Sequence, residues 1–371
     1  MTDSLLTDAV GEIVARVCTD DALRAAERDG FAPRAWAAVA EAGLPWISVP
    51  EAAGGEGGDL ADALGVLRLA GYHGLPLPIA ETGVLAGWLL AASGLRAARV
   101  PATVASGPGL AWSGETVTGL ARLVPWARSA SQVAVLVPAR GPGLAEADDA
   151  MVAVFSLADL RVEQHVNLAG EPRDTVYLDG AAPLASAPAG TGVSVATLRR
   201  RGALTRIALM AGAASRIRDI TVRYTGERSQ FGKPIGRFPG VQQHVVNIAQ
   251  QAAMLEMAAD LVTVAAAADP GLTGEQAAFQ VAAAKSVAAD AATIATAAAH
   301  QAHGAMGMTQ EYPLHNFTRR LWAWTREYGT GAQAAGELGA LVADAGADAL
   351  WPLIASNPHG TETTGNPSVK P

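Results

Sequence analysis

Residues 224–247 read YTGERSQFGKPIGRFPGVQQHVVN, a polar, glycine-bearing hairpin corner set between two long apolar runs. Before it lies RGALTRIALMAGAASRIRDITVR, and after it VVNIAQQAAMLEMAADLVTVAAAA. In the second run Val241, Val245, Ile248, Ala252, Leu255 and Ala258 recur at three- and four-residue spacing, which places them on one face of a helix. Two helices therefore flank a corner. Between Arg216 and Arg237 the basic residues are Arg216, Arg218, Arg223, Arg228, Lys233 and Arg237, against only Asp219 and Glu227, although the chain as a whole carries a formal net charge of -8. A local reversal of sign of this kind marks either a solvated helix end or a place where an anion sits.

The order of residues within the corner separates those two readings. ERSQFGKPIGRF followed by an amphipathic helix resembles the R-x-Q-F-G-x-P-[IL] signature in the C-terminal domain of acyl-CoA dehydrogenases. The resemblance implies that Arg228 reaches the pyrophosphate of FAD across a subunit boundary, with Gln230, Phe231 and Gly232 beside it. Guanidinium is the always-charged, bidentate partner for phosphate oxygens, and glycine lets backbone come close.

A second block, QAHGAMGMTQEYPLHNFTR (residues 301–319), resembles the family's glycine turn, in which Gln301, Gly304, Gly307, Glu311, Tyr312, Pro313 and Arg319 match. Ala305 stands where a second glycine is usual, and Arg320 replaces an aspartate. In the family this turn approaches the dinucleotide of a neighbouring subunit's FAD; without the first block it would read as a glycine helix cap. Thr330 closes the loop TREYGT and completes the cofactor-binding set that the resemblance implies.

At 371 residues, half of them hydrophobic, the chain is long enough for two or three domains with a large buried core. No apolar run is expected to cross a bilayer. The N-terminus MTDSLLTDAVGEIV lacks a charged n-region, so a cytoplasmic location is the default. Cys18, the single cysteine, excludes an internal disulfide framework and a multi-cysteine metal site, and the acidic balance argues against general nucleic-acid binding.

Periodicity predicts helices up to about residue 95, with Leu5, Val10, Ile13 and Val14 on one stripe and Trp36, Val39 and Leu44 on another. The turn-rich interruption Gly43–Gly58 resembles the PE-x-x-GG-x-G loop of the family's N-terminal domain. From about Val100 to Ala189 the texture changes to short strands, expected at Thr116–Val124, Val133–Val137, Val152–Ser156, Arg161–Val166 and Thr175–Leu178. Long helices built from small residues follow; Thr273 with Gln276 offers a capping box for the one ending near Ala302, and Gly304 a stop. The expected fold class is α+β, mostly α: an N-terminal helical domain (1–97), a central small antiparallel β-domain (98–190), a C-terminal four-helix bundle (191–354) and an unstructured tail (355–371).

The implied reaction is α,β-dehydrogenation of an acyl-CoA thioester with hydride transfer to FAD, which requires a carboxylate base for the α proton. The family's usual base position falls here on Tyr328, a phenol whose ordinary pKa of about 10 makes it a poor base. The base position of a second branch falls on Thr205. The neighbouring carboxylate Glu327 is the candidate catalytic base, the alternative being a carboxylate paired with Arg326 or another nearby cation. Trp322 and Trp324 are candidates for an acyl pocket or for core; His73, His300, His303 and His315 suggest packing or surface. The family's flavin-covering TEP-x-x-G-S-D segment is replaced by VPATVASGPGLAWSGE. Three readings stay open: a self-sufficient FAD enzyme, the non-catalytic subunit of a hetero-oligomer completing a partner's FAD site, and a flavin-free helical scaffold. Split members of the family are associated with bulky acyl groups such as sterol side chains. Nothing marks the electron acceptor.

Overall fold

The computed structural model describes residues 2–138, 150–346, 348 and 350–355, with side chains from residue 10 onward, Asp20 excepted. The expected tail beyond Ala355 lies outside the described residues, as does the side chain of Leu5. Helices α1 (Thr2–Val17), α2 (Asp20–Asp29), α3 (Pro33–Glu41) and α4 (Leu60–His73) open the chain, followed by a π-helical segment Ala80–Gly87 that runs into α5 (Trp88–Ala92). Val10 and Val14 are buried, and Trp36 packs edge-on against Trp46 at 5.9 Å, so the two apolar stripes meet in one core. Asp59 and Asp62 form a reciprocal capping box that starts α4.

The strands are β1 (Ala102–Ser106), β2 (Ala111–Trp112), β3 (Val117–Thr118), β4 (Leu120–Pro125), β5 (Gln132–Val137), β6 (Met151–Ser156), β7 (Arg161–Glu163), β8 (Arg173–Tyr177) and β9 (Ala185–Pro188). They build a four-stranded sheet in the order β1-β5-β6-β9 and a three-stranded sheet β4-β8-β7, with β2-β3 as a separate hairpin. Pairing is antiparallel except between β1 and β5, which run parallel. β1 was not among the expected strands because four of its five residues are buried, leaving no alternation to read. The expected Thr116–Val124 strand divides at Gly119 and bulges between Ala121 and Val124, which leaves Leu123 at φ 55° and 70% exposed.

Three long helices follow, α6 (Val195–Glu227), α7 (Pro239–Ala268) and α8 (Glu275–His303), joined by a two-stranded hairpin β10 (Ser229–Gln230) and β11 (Lys233–Pro234); α9 (Leu314–Trp324), α10 (Gly331–Ala345) and α11 (Leu350–Ala355) complete the bundle. Ser194 and Thr197 cap α6 reciprocally. The capping box expected from Thr273 and Gln276 does not form: Gly274 is the N-cap, and its N–H donates to Asp269 Oδ2 at 2.8 Å. Of the stripe on α7, Ile248, Ala252, Leu255 and Ala258 are buried, and α8 meets them with a face made almost wholly of alanine. By length and hydropathy alone α7 would suffice for a membrane span, but it packs within the bundle.

Candidate functional site

Both diagnostic blocks converge on one surface cavity of about 390 Å³, lined by Tyr224, Arg228, Gln230 and Phe231 from the corner and by Gln301, His303 and Gly304 from the end of α8. The corner is a two-residue hairpin with Phe231 at φ 50° and Gly232 at φ 76°, the paired positive values such a turn requires. Phe231 is left at the tip, 93% exposed, edge-on to Phe238. Arg228 is pinned by its backbone: its N–H donates to Tyr224 O at 2.9 Å, and its carbonyl accepts from Ile235 N at 2.8 Å. Its side chain is exposed and has no ion pair among the described residues. A backbone fixed at both ends and a free guanidinium suit capture of an anion from outside the chain.

Across the cavity α8 ends at Gly304, φ 57°, where an added Cβ would meet no atom within 4 Å. The turn is held from beneath by rings: His303 stacks on Tyr224 at 4.5 Å and Tyr312 leans against both. His303 Nδ1 bonds Ala299 O while its buried Nε2 has no partner, and burial pushes its pKa below the ordinary histidine value. Gly307 lies outside the cavity; a Cβ there would come within 2.9 Å of His303, so it permits the tight packing of the turn. Thr330 also lies elsewhere, capping α10 through its Oγ1.

A second, larger cavity of about 660 Å³ opens between the β-sheets and the bundle, lined by Leu123, Val166 and Leu168 on one side and by Trp322, Glu327 and Tyr328 on the other. Of the two tryptophans proposed for an acyl pocket, only Trp322 lines it; Trp324 is buried and donates to Glu171 Oε2 at 3.0 Å. Of the segment replacing the family's flavin cover, only Val104, Ala105 and Ser106 reach the cavity.

Glu327, expected as the base, is engaged on every side. Its Oε1 accepts from Arg173 Nε at 2.8 Å and Asn167 Nδ2 at 3.0 Å, and its Oε2 from Arg206 Nε at 2.6 Å and Arg173 Nη2 at 2.9 Å. Burial would raise its pKa, but the two guanidinium groups hold it down at about 2. A carboxylate so held is a weak proton acceptor, and the pairing partners are Arg173 and Arg206 rather than Arg326. The ion pairs continue inward: Arg206 reaches Glu81 at 2.5 Å, while Glu171 takes Arg173 at 3.1 Å and Arg320 at 3.2 Å. Tyr328, at the usual base position, adopts φ 54° and lays its ring into the notch of Gly202, where a Cβ would sit 2.2 Å from the ring. Its hydroxyl is buried without a partner, and burial pushes its pKa above the usual tyrosine range. Thr205 is buried and donates to Gly202 O at 2.7 Å. Lys285 fixes this loop from behind, its Nζ donating to the carbonyls of Trp324 and Glu327 at 2.9 Å each.

The inner network was missed at the sequence level, although it left a trace. Glu81 in PIAETGVLAG, Arg206 in ALTRIALMAG and Lys285 in AAAKSVAA are lone charges inside apolar runs, and a charge in such a run needs a buried partner.

Against known proteins, the family model for the acyl-CoA dehydrogenase N-terminal domain matches residues 2–99, and that for the acyl-CoA dehydrogenase C-terminal domain matches residues 190–334. The chain belongs to the acyl-CoA dehydrogenase family and has its fold. FAD is the cofactor of that family. Acyl-CoA dehydrogenase IpdE2 of Mycolicibacterium smegmatis is 26% identical over 85% of this chain and 91% of its own length. Acyl-CoA dehydrogenase FadE34 of Mycobacterium tuberculosis is 30% identical over 77% of this chain but only 38% of its own length. Among solved structures, the ChsE4-ChsE5 complex from Mycobacterium tuberculosis superposes with a TM-score of 0.78 at 26% identity, covering 93% of this chain and 98% of the matched one.

The residues present fit one part of FAD better than the other. The Arg228–Gln301 cavity offers a free guanidinium, an exposed carboxamide and an unobstructed glycine turn, the donor set a diphosphate requires. The larger cavity offers the edge of a flavin ring little beyond the Ser106 hydroxyl from its covering segment.

Proposed function

We propose that this chain is the non-catalytic subunit of a hetero-oligomeric acyl-CoA dehydrogenase, completing the FAD site of a related partner chain. Bound FAD would supply the acceptor for the β hydride of an acyl-CoA thioester. Arg228 would grip the diphosphate, Gln301 would donate to it, and the Gly304 turn would bring backbone close. The carboxylate that takes the α proton would come from the partner. The observation that carries this reading is Glu327, the one carboxylate lining the larger cavity among the described residues, bound by two arginines while Tyr328 and Thr205 fill the family's base positions. The proposal that the acyl group is bulky, such as a sterol side chain, rests on the resemblance to split members of the family.

The reading is tested by purifying the chain alone and together with a dehydrogenase-like chain encoded beside it, and recording the flavin spectrum. FAD is expected in the assembly, at reduced occupancy when Arg228→Ala is used, and turnover per bound FAD is expected to be unaffected by Glu327→Gln. Stoichiometric FAD in the lone chain, together with reduction of that flavin by an acyl-CoA, would overturn it in favour of a self-sufficient enzyme. Unchanged FAD content with Arg228→Ala would instead favour a flavin-free scaffold.

A further inference from the structure

Beneath the Gln301–Gly304 turn the fold holds an unmet acceptor. His303 is 4% exposed, and its Nδ1 lies 2.8 Å from Ala299 O. A carbonyl oxygen only accepts, so Nδ1 carries the proton of the neutral ring and Nε2 is a bare lone pair. Nε2 is buried and has no partner among the described residues. A second proton would turn it into a charged donor with nothing to receive it and no water within reach, a state that burial strongly disfavours.

The ring is also a structural support of the turn. Tyr224 lies against it at 4.5 Å with 20° between the planes, and Tyr312 is tilted against it at 5.1 Å. The Tyr224 hydroxyl reaches the His303 carbonyl at 3.4 Å, and α8 ends on the next residue, Gly304. Gly307 brings the returning chain so close that an added Cβ would meet His303 Cβ at 2.9 Å and His300 Nδ1 at 3.4 Å. Movement of the imidazole is therefore passed to Gln301 and Gly304, which line the cavity beside Arg228.

The groups around the ring oppose a proton there. On α8, His300 bears on it with the same sign of charge, and His315, on α9, bears likewise on His300. His300 has its own buried, unpartnered Nδ1, while its Nε2 meets Thr318 Oγ1 at 3.1 Å. From α6 come Tyr224 and three charged groups that act on Tyr312: Glu227, Arg223 and Arg216. The one carboxylate of that set thus bears on the tyrosine and not on the imidazole. Burial pushes the pKa of both His300 and His303 below the ordinary 6.5. The support given by the neutral ring is then fully present above pH 6.5 and is lost as pH falls from there through the folded-state value.

We propose that His303 is a proton-sensitive positioning residue: as a neutral ring it props the Gln301–Gly304 turn in the form that meets a phosphate, and as an imidazolium it releases the turn. The consequence for the cofactor rests on the reading of that cavity as an FAD site: the assembly would hold FAD at neutral pH and shed it on acidification. Because Nε2 is closed off from the cavity, it cannot donate to a phosphate there while the turn keeps its place.

Amide exchange read by mass spectrometry on the full chain tests the device without FAD, with protection factors corrected for the intrinsic effect of pH. Protection across residues 301–309 is expected to fall at least threefold between pH 7.5 and 5.5. His303→Phe keeps a flat ring against Tyr224 but takes no proton, and is expected to abolish that fall, whereas His300→Gln is expected to retain it. His303→Gln makes the same comparison should the phenylalanine variant not fold. In the flavin-loaded assembly the rate of FAD release is expected to rise at least threefold over the same interval and to lose that rise with His303→Phe. A fall in protection that survives both His303 variants, or that is lost only with His300→Gln, would overturn the proposal. So would FAD held more tightly at pH 5.5, since the charged ring would then be donating to phosphate. An assembly that carries no FAD would count against the flavin-sharing reading alone, because the protection of residues 301–309 is read without it.

Discussion

Arginines in two regions of this molecule meet opposite conditions. Arg173, Arg206 and Arg320 lie inside, each within 3.2 Å of a glutamate of the same chain. Arg228 stands at the surface beside a glycine turn, with no carboxylate set against it among the described residues. A guanidinium withdrawn from water must find its counter-charge within the fold, because leaving it alone costs several kcal/mol. One left in water bears no such demand and stays available to a charge from another molecule. The inner group therefore belongs to stability and the outer to binding, and the position of Glu327 decides which of them a sequence motif was describing.

The largest expected effect comes from breaking the inner group. Glu327→Gln keeps the shape of the side chain but leaves Arg173 and Arg206 short of one negative charge, which is expected to cost roughly 3–5 kcal/mol in urea unfolding. Adding Arg206→Met to Glu327→Gln removes one of the orphaned charges, so the double variant should lose less than the sum of the two. Additive losses would show that the two side chains do not work as a pair. The pH dependence sharpens the same point. Glu327 has a folded-state pKa of about 2 against an ordinary 4.5, so its contribution is fully present above pH 4.5 and is lost as pH falls toward 2. Stability measured across that window should fall less steeply for Glu327→Gln than for the native chain; parallel curves would remove Glu327 from the acid response.

A smaller effect is expected where Tyr328 occupies the base position. A methyl group at residue 202 would sit 2.2 Å from its ring, so Gly202→Ala must displace either the ring or the helix, at about 1–3 kcal/mol. Tyr328→Ala empties the notch, and the double variant should then cost less than the two separate losses combined. If Gly202→Ala were as damaging in the absence of the ring, the glycine would be serving the helix instead of the tyrosine.

Legibility followed the same division between outer and inner. The corner at residues 228–232 and the turn at 301–307 could be read from the sequence because each is a short contiguous run whose backbone demands glycine at fixed places. The sequence also carried the helical periodicity of α7, which its buried face bears out. What could not be read was long-range and polar. Glu81, Arg206, Glu327 and the stretch that carries Asn167, Glu171 and Arg173 come from separate parts of the chain, and no local spacing announces that they meet. The same holds for β1, whose parallel pairing with β5 is set by packing on both faces and leaves no alternating pattern. Thr330, which a family motif would make a cofactor contact, also starts a helix, its Oγ1 accepting the N–H of Gln333.

The smallest expected effect on stability is also the most discriminating. In Arg228→Ala the two backbone bonds to Tyr224 and Ile235 remain, since neither uses the side chain, and no carboxylate is left unpaired because none was paired. The urea midpoint should therefore correspond to a change within about 0.5 kcal/mol, as for other exposed positions free of special contacts. A loss above about 1 kcal/mol would mean that the guanidinium supports the corner, and the contrast with Arg173 and Arg206 would fail. With stability unchanged, any fall in FAD retained by the assembly can be assigned to the lost contact itself. That fall should shrink as salt is raised before the comparison, because the ions screen the native arginine's attraction for phosphate while leaving alanine unaffected.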